Sequence, residues 1–180
     1  ELKSTVIDAE NSTFEHSFVF DESKYTLALG GLHSDNKSQI YVSDDDHDLL
    51  DFDFGSFYPL LMINLGIEPP QLRNVLLPII VDVTDKRLAA KDSGDKITAN
   101  TLKITINSIY GKLGFIYGYL YSPKSMYSVT VNGQLYLLQL IEKLSLAGIK
   151  CFYANTDGIT CRVHKDQVEL YYEICNGFAR

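Results

Sequence analysis

The run Leu49-Leu50-Asp51-Phe52-Asp53-Phe54-Gly55-Ser56-Phe57-Tyr58-Pro59-Leu60-Leu61-Met62 constrains this chain more than any other. Leu50, Phe52 and Phe54 alternate with Asp51, Asp53 and Gly55, the period of a half-buried strand that turns both aspartates to the opposite face. A carboxylate at a strand end is ordinary by itself. Here Gly-Ser-Phe-Tyr-Pro releases the strand into a tight turn, which predicts backbone amides, a hydroxyl and an aromatic ring beside Asp53. Residues 60–65 then fit a short buried helix stopped by Gly66.

Bulk properties narrow the setting. At 180 residues there is room for one domain with a proper core, or one domain with a small projecting lobe. Hydrophobic residues make up 46% of the chain and no apolar run approaches the length of a bilayer span, which predicts a soluble protein without a membrane partner. The acidic, polar N-terminus has no signal-peptide pattern, so the expected compartment is the cytoplasm. Cys151, Cys161 and Cys175 are odd in number and in no metal-ligand or redox spacing, which predicts buried, reduced thiols. His16, His33, His47 and His164 are scattered, which argues against zinc; a bound metal should be a hard, oxygen-ligated ion such as magnesium or manganese. The net charge of −7 runs against a broad nucleic-acid footprint. Asp44, Asp45, Asp46, Asp48, Asp51 and Asp53 concentrate part of it, so a grip on a duplex needs a local basic stripe or other parts of the protein.

Along the chain, Gly30-Gly31 suggests a turn between two strands, and residues 40–42 and 49–54 flank a polar run that predicts a hairpin. Residues 71–111 predict two antiparallel helices about a tip at Asp92-Ser93-Gly94-Asp95. Val75, Leu76, Ile79, Ile80, Val83, Leu88 and Ala89 form the apolar stripe of the first, with Pro78 kinking it or marking its first turn. Residues 114–121 read as strand or loop. A helix follows from about residue 129, with Leu135, Leu138, Ile141 and Leu144 as its core stripe and Gly148 as its stop. Residues 149–154 and 159–163 are predicted strands joined by Asn155-Thr156-Asp157-Gly158, a hairpin tip that presents Asp157, and residues 167–178 form a last helix.

Three motifs together resemble those of family B DNA polymerases, and within that family the phage and protein-primed members. Asp53-Phe54-Gly55-Ser56-Phe57-Tyr58-Pro59 is similar to D-x-x-S-L-Y-P, with Phe57 in the leucine place. Lys103-Ile104-Thr105-Ile106-Asn107-Ser108-Ile109-Tyr110-Gly111 is similar to K-x-x-x-N-S-x-Y-G without a mismatch, and Tyr153-Ala154-Asn155-Thr156-Asp157-Gly158 to Y-x-D-T-D-S with two departures. Their order is the family's order. Arg87 and Lys91 resemble the R-x-x-x-K pair of the family's fingers, and helical spacing puts both on one face near Lys103. Gly30 and Gly31 resemble in part the Y-x-G-G segment that touches the template strand, with Ala28 in the tyrosine place. Asp8 and Glu10 mimic a proofreading exonuclease motif, but the interval before Asp53 is too short for an exonuclease fold.

Joining a nucleotide to a 3′-hydroxyl requires in-line attack on phosphorus by a poor nucleophile, and two divalent ions about 3.5–4 Å apart can drive it. The resemblance implies that Asp53 and Asp157 are the catalytic metal ligands, aided by Phe54, with two magnesium or manganese ions per site. It implies that the backbone over 54–57 and the Ser56 hydroxyl hold the dNTP triphosphate beside Phe57, and that Tyr58 lies under the sugar. Arg87, Lys91 and Lys103 would neutralise the triphosphate and Asn107 would add a hydrogen bond. Tyr110 and Gly111 would meet the nascent base pair. The departures are Asn155, which brings no charge where the family has aspartate, and Gly158, which removes a hydroxyl. Active, weakened and inactive forms all stay open, with active architecture expected.

The expected fold is α+β: an antiparallel palm sheet backed by helices, residues 1–70 and 114–180, with a two-helix fingers hairpin inserted at 71–113. The expected function is template-directed DNA synthesis on primer-template DNA by a core lacking the exonuclease and thumb domains of a phage or prophage enzyme. The alternatives are an inactive palm that acts as a binding or assembly module, and a primer-independent nucleotidyl enzyme.

Overall fold

The computed structural model describes residues 15–178, so the Asp8 and Glu10 pair lies outside the described residues. Strands β1 (Glu15–Phe20), β2 (Ser23–Ala28) and β3 (Gly31–Ser34) form a meander, with the Gly30-Gly31 turn between β2 and β3 as expected. They join β4 (His47–Asp53), β5 (Lys150–Asn155) and β6 (Gly158–His164) in one six-stranded antiparallel sheet of order β1-β2-β3-β5-β6-β4. The β4–β6 ladder runs from His47 opposite His164 to Asp53 opposite Gly158. That register brings the end of the first motif level with the start of β6.

Residues 40–42 are not a strand, which corrects the predicted hairpin. Asp44 Oδ1 accepts hydrogen bonds from the backbone N–H groups of Asp46 at 3.0 Å and His47 at 2.8 Å, closing a turn. Tyr41 meanwhile lies over Phe152 with ring centroids 3.8 Å apart. The β propensity of Ile40-Tyr41-Val42 is outweighed by that stacking, and β4 pairs with β6, far away in sequence.

Among the described residues five α-helices accompany the sheet: α1 (Phe57–Leu65), α2 (Leu76–Asp92), α3 (Lys96–Lys112), α4 (Pro123–Leu146) and α5 (Val168–Phe178). α1 ends where Gly66 takes φ 64°, a left-handed turn that glycine adopts without strain. Pro78 occupies the first turn of α2, where its missing N–H costs no helical bond. Asp95 caps α3 by accepting from the Thr98 N–H at 3.1 Å, making α2 and α3 an antiparallel hairpin inserted between α1 and α4. Residues 114–121 are loop.

α4 starts earlier than its glycine and valine segment suggested, at Pro123 behind a Ser122 cap. Its buried face is Val129, Gly133, Leu137, Leu140, Ile141 and Leu144, whereas Leu135 is 50% exposed. The rotation follows from α1, because a Cβ at Gly133 would approach Tyr58 Cε1 to 3.0 Å and Leu61 Cδ1 to 3.2 Å. The glycine side of α4 therefore faces inward. This face packs with Tyr25, Leu32, Ala154, Ile159, Cys161 and Val163 of the sheet and with Tyr171 and Cys175 of α5. All three cysteines are buried and free, as predicted, and burial pushes the Cys175 thiol up to about 11. The α+β class is borne out: an antiparallel sheet with packed helices and an inserted helical hairpin.

Candidate active site

Asp53 ends β4, and Asp157 occupies the β5–β6 turn, in which Thr156 takes φ 55°. The Phe54 N–H donates to the Asp157 carbonyl at 2.8 Å, and the Thr156 N–H donates to the Leu32 carbonyl at 2.8 Å. These bonds clamp the turn to the end of β4 on one side and to β3 on the other. Both aspartates line one cleft. Burial, and then the charge of Asp53, raise the Asp157 carboxyl above the usual aspartate range, while Lys103 draws it partly back.

The cleft has a volume of about 390 Å³ and also gathers Phe54, Ser56, Phe57, Tyr58, Arg87, Lys103, Asn107 and Tyr110. Three local features supply these groups. Ser56 stands in the left-handed region at φ 57° just before α1, no side chain caps that helix, and Ser56 to Pro59 line the cleft, which puts the positive dipole end of α1 at its wall. Lys103, Asn107 and Tyr110 recur at helical spacing along one side of α3. From α2, the Arg87 guanidinium donates to the Ser56 hydroxyl, tying the helical hairpin to the turn after β4.

Tyr58 anchors the floor. Its hydroxyl donates to the Gly30 carbonyl at 3.2 Å, and its ring lies 4.3 Å from that of Tyr110, centroid to centroid. The Tyr110 hydroxyl in turn shares a 2.6 Å hydrogen bond with Thr130. Burial raises the pKa of both phenols, so both stay neutral hydrogen-bonding groups. Gly31 is required beneath them: its φ is 144°, and a Cβ there would lie 3.2 Å from both the Tyr58 hydroxyl and Thr156 Oγ1.

Not every predicted residue converges. Lys91, Gly111 and Asn155 are absent from the cleft lining. Gly30 and Gly31 touch it only through Tyr58. Phe57 reaches the wall but is 6% exposed and stacked on Phe54 at 4.7 Å, so its ring is mainly core. Asn155 turns its side chain to Thr156, whose hydroxyl donates to Asn155 Oδ1 at 3.2 Å. Asp53 and Asp157 line the cleft without it.

Two contributors escaped the sequence reading. Thr130 fixes Tyr110 from α4, with no local signal to reveal it. Gly158 matters for more than a missing hydroxyl, because a Cβ there would fall 1.9 Å from Asp53 Oδ1. The Asp53 carboxylate occupies the space that any other residue would fill. Only the Asp53–Gly158 register reveals this.

Residues 87–180 match the sequence model of DNA polymerase family B. The chain belongs to that family. The DNA polymerase alpha catalytic subunit of Trypanosoma brucei brucei is 33% identical over 109 residues, covering 52% of this chain and 8% of that protein. DNA polymerase II of Escherichia coli (strain K12) is 24% identical over 152 residues, covering 71% of this family B chain and 19% of the relative. Among solved structures, the family B DNA polymerase of the hyperthermophilic archaeon Pyrobaculum calidifontis superposes with a TM-score of 0.57 at 19% identity, over 81% of this chain and 26% of that one. That likeness concerns the fold. The family B chain thus spans less than a fifth of the length of these two curated relatives.

Proposed function

We propose that this chain carries the nucleotidyl-transfer centre of a template-directed DNA polymerase, with the sheet, α1, α4 and α5 as palm and the α2–α3 hairpin as fingers. One observation carries the reading: a carboxylate from the end of β4, a second from the β5–β6 turn, two cations from separate helices and an uncapped helix N-terminus meet in one cleft. In the reaction a primer 3′-oxygen bonds to the α-phosphorus of a dNTP, pyrophosphate leaves and the hydroxyl proton is released. Arg87, Lys103 and the amides opening α1 bind the triphosphate, and Asn107 adds a neutral donor. Tyr58 supports the sugar, and Tyr110 carries the base pair above it.

The donor set suits a hard divalent ion. Asp53 and Asp157 offer only carboxylate oxygens, and among the described residues no group of three or more His, Cys, Asp or Glu is placed to hold a metal. Magnesium would fit this set, since it leaves several of its positions to phosphate oxygens and water. Two magnesium or manganese ions, when bound, lower the pKa of the attacking hydroxyl and neutralise the leaving phosphate. Phe54 lines the same wall and can add its carbonyl. No helix among the described residues is long and apolar enough to cross a membrane.

The motif resemblance favours a phage or protein-primed type of enzyme, with the 17-residue helices α2 and α3 as its fingers. The deciding experiment is primer extension with all four dNTPs in magnesium and then manganese, beside Asp157→Ala. Extension that follows the template and disappears in the variant is expected. Product formed without primer assigns a primer-independent nucleotidyl enzyme, and neither extension nor dNTP binding assigns an inactive module.

A further inference from the structure

Between α3 and α4 the chain presents aromatic rings that the cleft does not use. Phe115 is 45% exposed, Tyr117 84% and Tyr119 92%. Their backbone is pinned: the Ser122 N–H donates to the Leu113 carbonyl at 2.9 Å, and the Gly118 N–H to the Phe115 carbonyl at 2.9 Å. The Gln71 side chain donates to the carbonyls of Tyr119 at 3.2 Å and Tyr121 at 3.0 Å. Leu113 is fully buried and Leu120 packs on the core, so the loop is anchored from beneath. Rings held outward on a fixed backbone lose little further freedom when a ligand covers them.

The charge of the sequence on either side of them is equally distinctive. Residues 96–141 contain Lys96, Lys103, Lys112 and Lys124 and no aspartate or glutamate, in a chain of net charge −7. Lys112 Nζ stands 4.7 Å from the centroid of the Phe115 ring, at the edge of the aromatic row. Rings flanked in the sequence by Lys112 and Lys124 suit a ligand that is both flat-faced and anionic. A duplex offers phosphates but hides its base faces, whereas a single strand exposes both.

We propose that residues 113–121 form a stacking platform for single-stranded nucleic acid, with bases on Tyr117 and Tyr119 and phosphates against Lys112 and Lys124. The proposal rests on the nucleic-acid reading above and adds a second contact surface outside the cleft. A protein partner is the competing occupant. It is disfavoured because Ile116 is the one aliphatic side chain exposed among the rings.

The test is fluorescence anisotropy of the 180-residue chain with labelled oligothymidylate and with a blunt duplex of equal length. Tyr117→Ala/Tyr119→Ala should weaken oligothymidylate binding at least about twentyfold and leave duplex binding unchanged, while Tyr117→Phe/Tyr119→Phe should retain it. Lys112→Gln/Lys124→Gln should lower the slope of log K against log salt by about 1.4. Circular dichroism checks that each variant is folded. Equal losses on both ligands, or no loss on oligothymidylate, would overturn the platform, as would wild-type protein that does not bind oligothymidylate. Primer extension and dNTP binding report on the cleft separately, so failure of the platform and failure of the polymerase reading are distinguishable.

Discussion

The sheet body and the α2–α3 hairpin are built on different terms. α4 buries Val129, Leu137, Leu140, Ile141 and Leu144 against the sheet, whereas α3, with 17 residues, buries only Ile106. Ile97 is 82% exposed and Ile104 72%. The carboxylates Asp53 and Asp157 belong to the densely packed body, and the cations Arg87 and Lys103 to the sparsely packed hairpin. Local opening energies follow buried apolar contact, so the carboxylates sit on the rigid part and the cations on the part that opens first. The Arg87 to Ser56 hydrogen bond joins the two.

The comparison can be broken by mutation. Leu140→Ala in the body should cost about 2–5 kcal/mol in urea unfolding, since the side chain is fully buried. A small loss would mean that the body is no better packed than the hairpin. Gly158→Ser should cost about 1–3 kcal/mol and reduce primer extension, because the new Cβ displaces the Asp53 carboxylate. Unchanged stability and extension would show that Asp53 moves aside freely.

Acid should separate the regions without mutation. Hydrogen bonding to the Thr98 side chain and N–H lowers the Asp95 pKa, so the folded state favours the ionised cap. That contribution is present above the ordinary aspartate pKa and is lost as pH falls through the lowered value. Protection factors in the first turn of α3, taken relative to the intrinsic exchange rate at each pH, should therefore fall on acidification, with α4 still protected and with Asp95→Asn blunting the effect. Smallest of all, Ile104→Ala on α3 should change stability by no more than about 0.5 kcal/mol.

The positions of the helices were largely legible because their signals are local, although Val75, Ile79 and Leu88 of the predicted α2 stripe are exposed. Gly66 stops α1, Asp95 caps α3 and Pro78 tolerates only a first-turn position, each acting within a few residues. The Asp157 hairpin was legible for the same reason. Errors came where a distant partner decided. Ile40-Tyr41-Val42 has strand propensity but stacks through Tyr41 on Phe152, and α4 turned Gly133 inward, leaving Leu135 half exposed, because α1 lies against it.

The candidate site divides the same way. The motif resemblance in the sequence pointed to Asp53, Asp157, Lys103, Asn107 and Tyr110 as one set of groups, and helix periodicity, which acts over short range, put the last three along one side of α3. Only the tertiary structure decided that Arg87 bonds to Ser56, that Thr130 holds Tyr110, that Asn155 and Lys91 stand outside the cleft and that Asp53 fills the space over Gly158. Those outcomes depend on strand register and helix rotation, which the packing of the whole core sets at once.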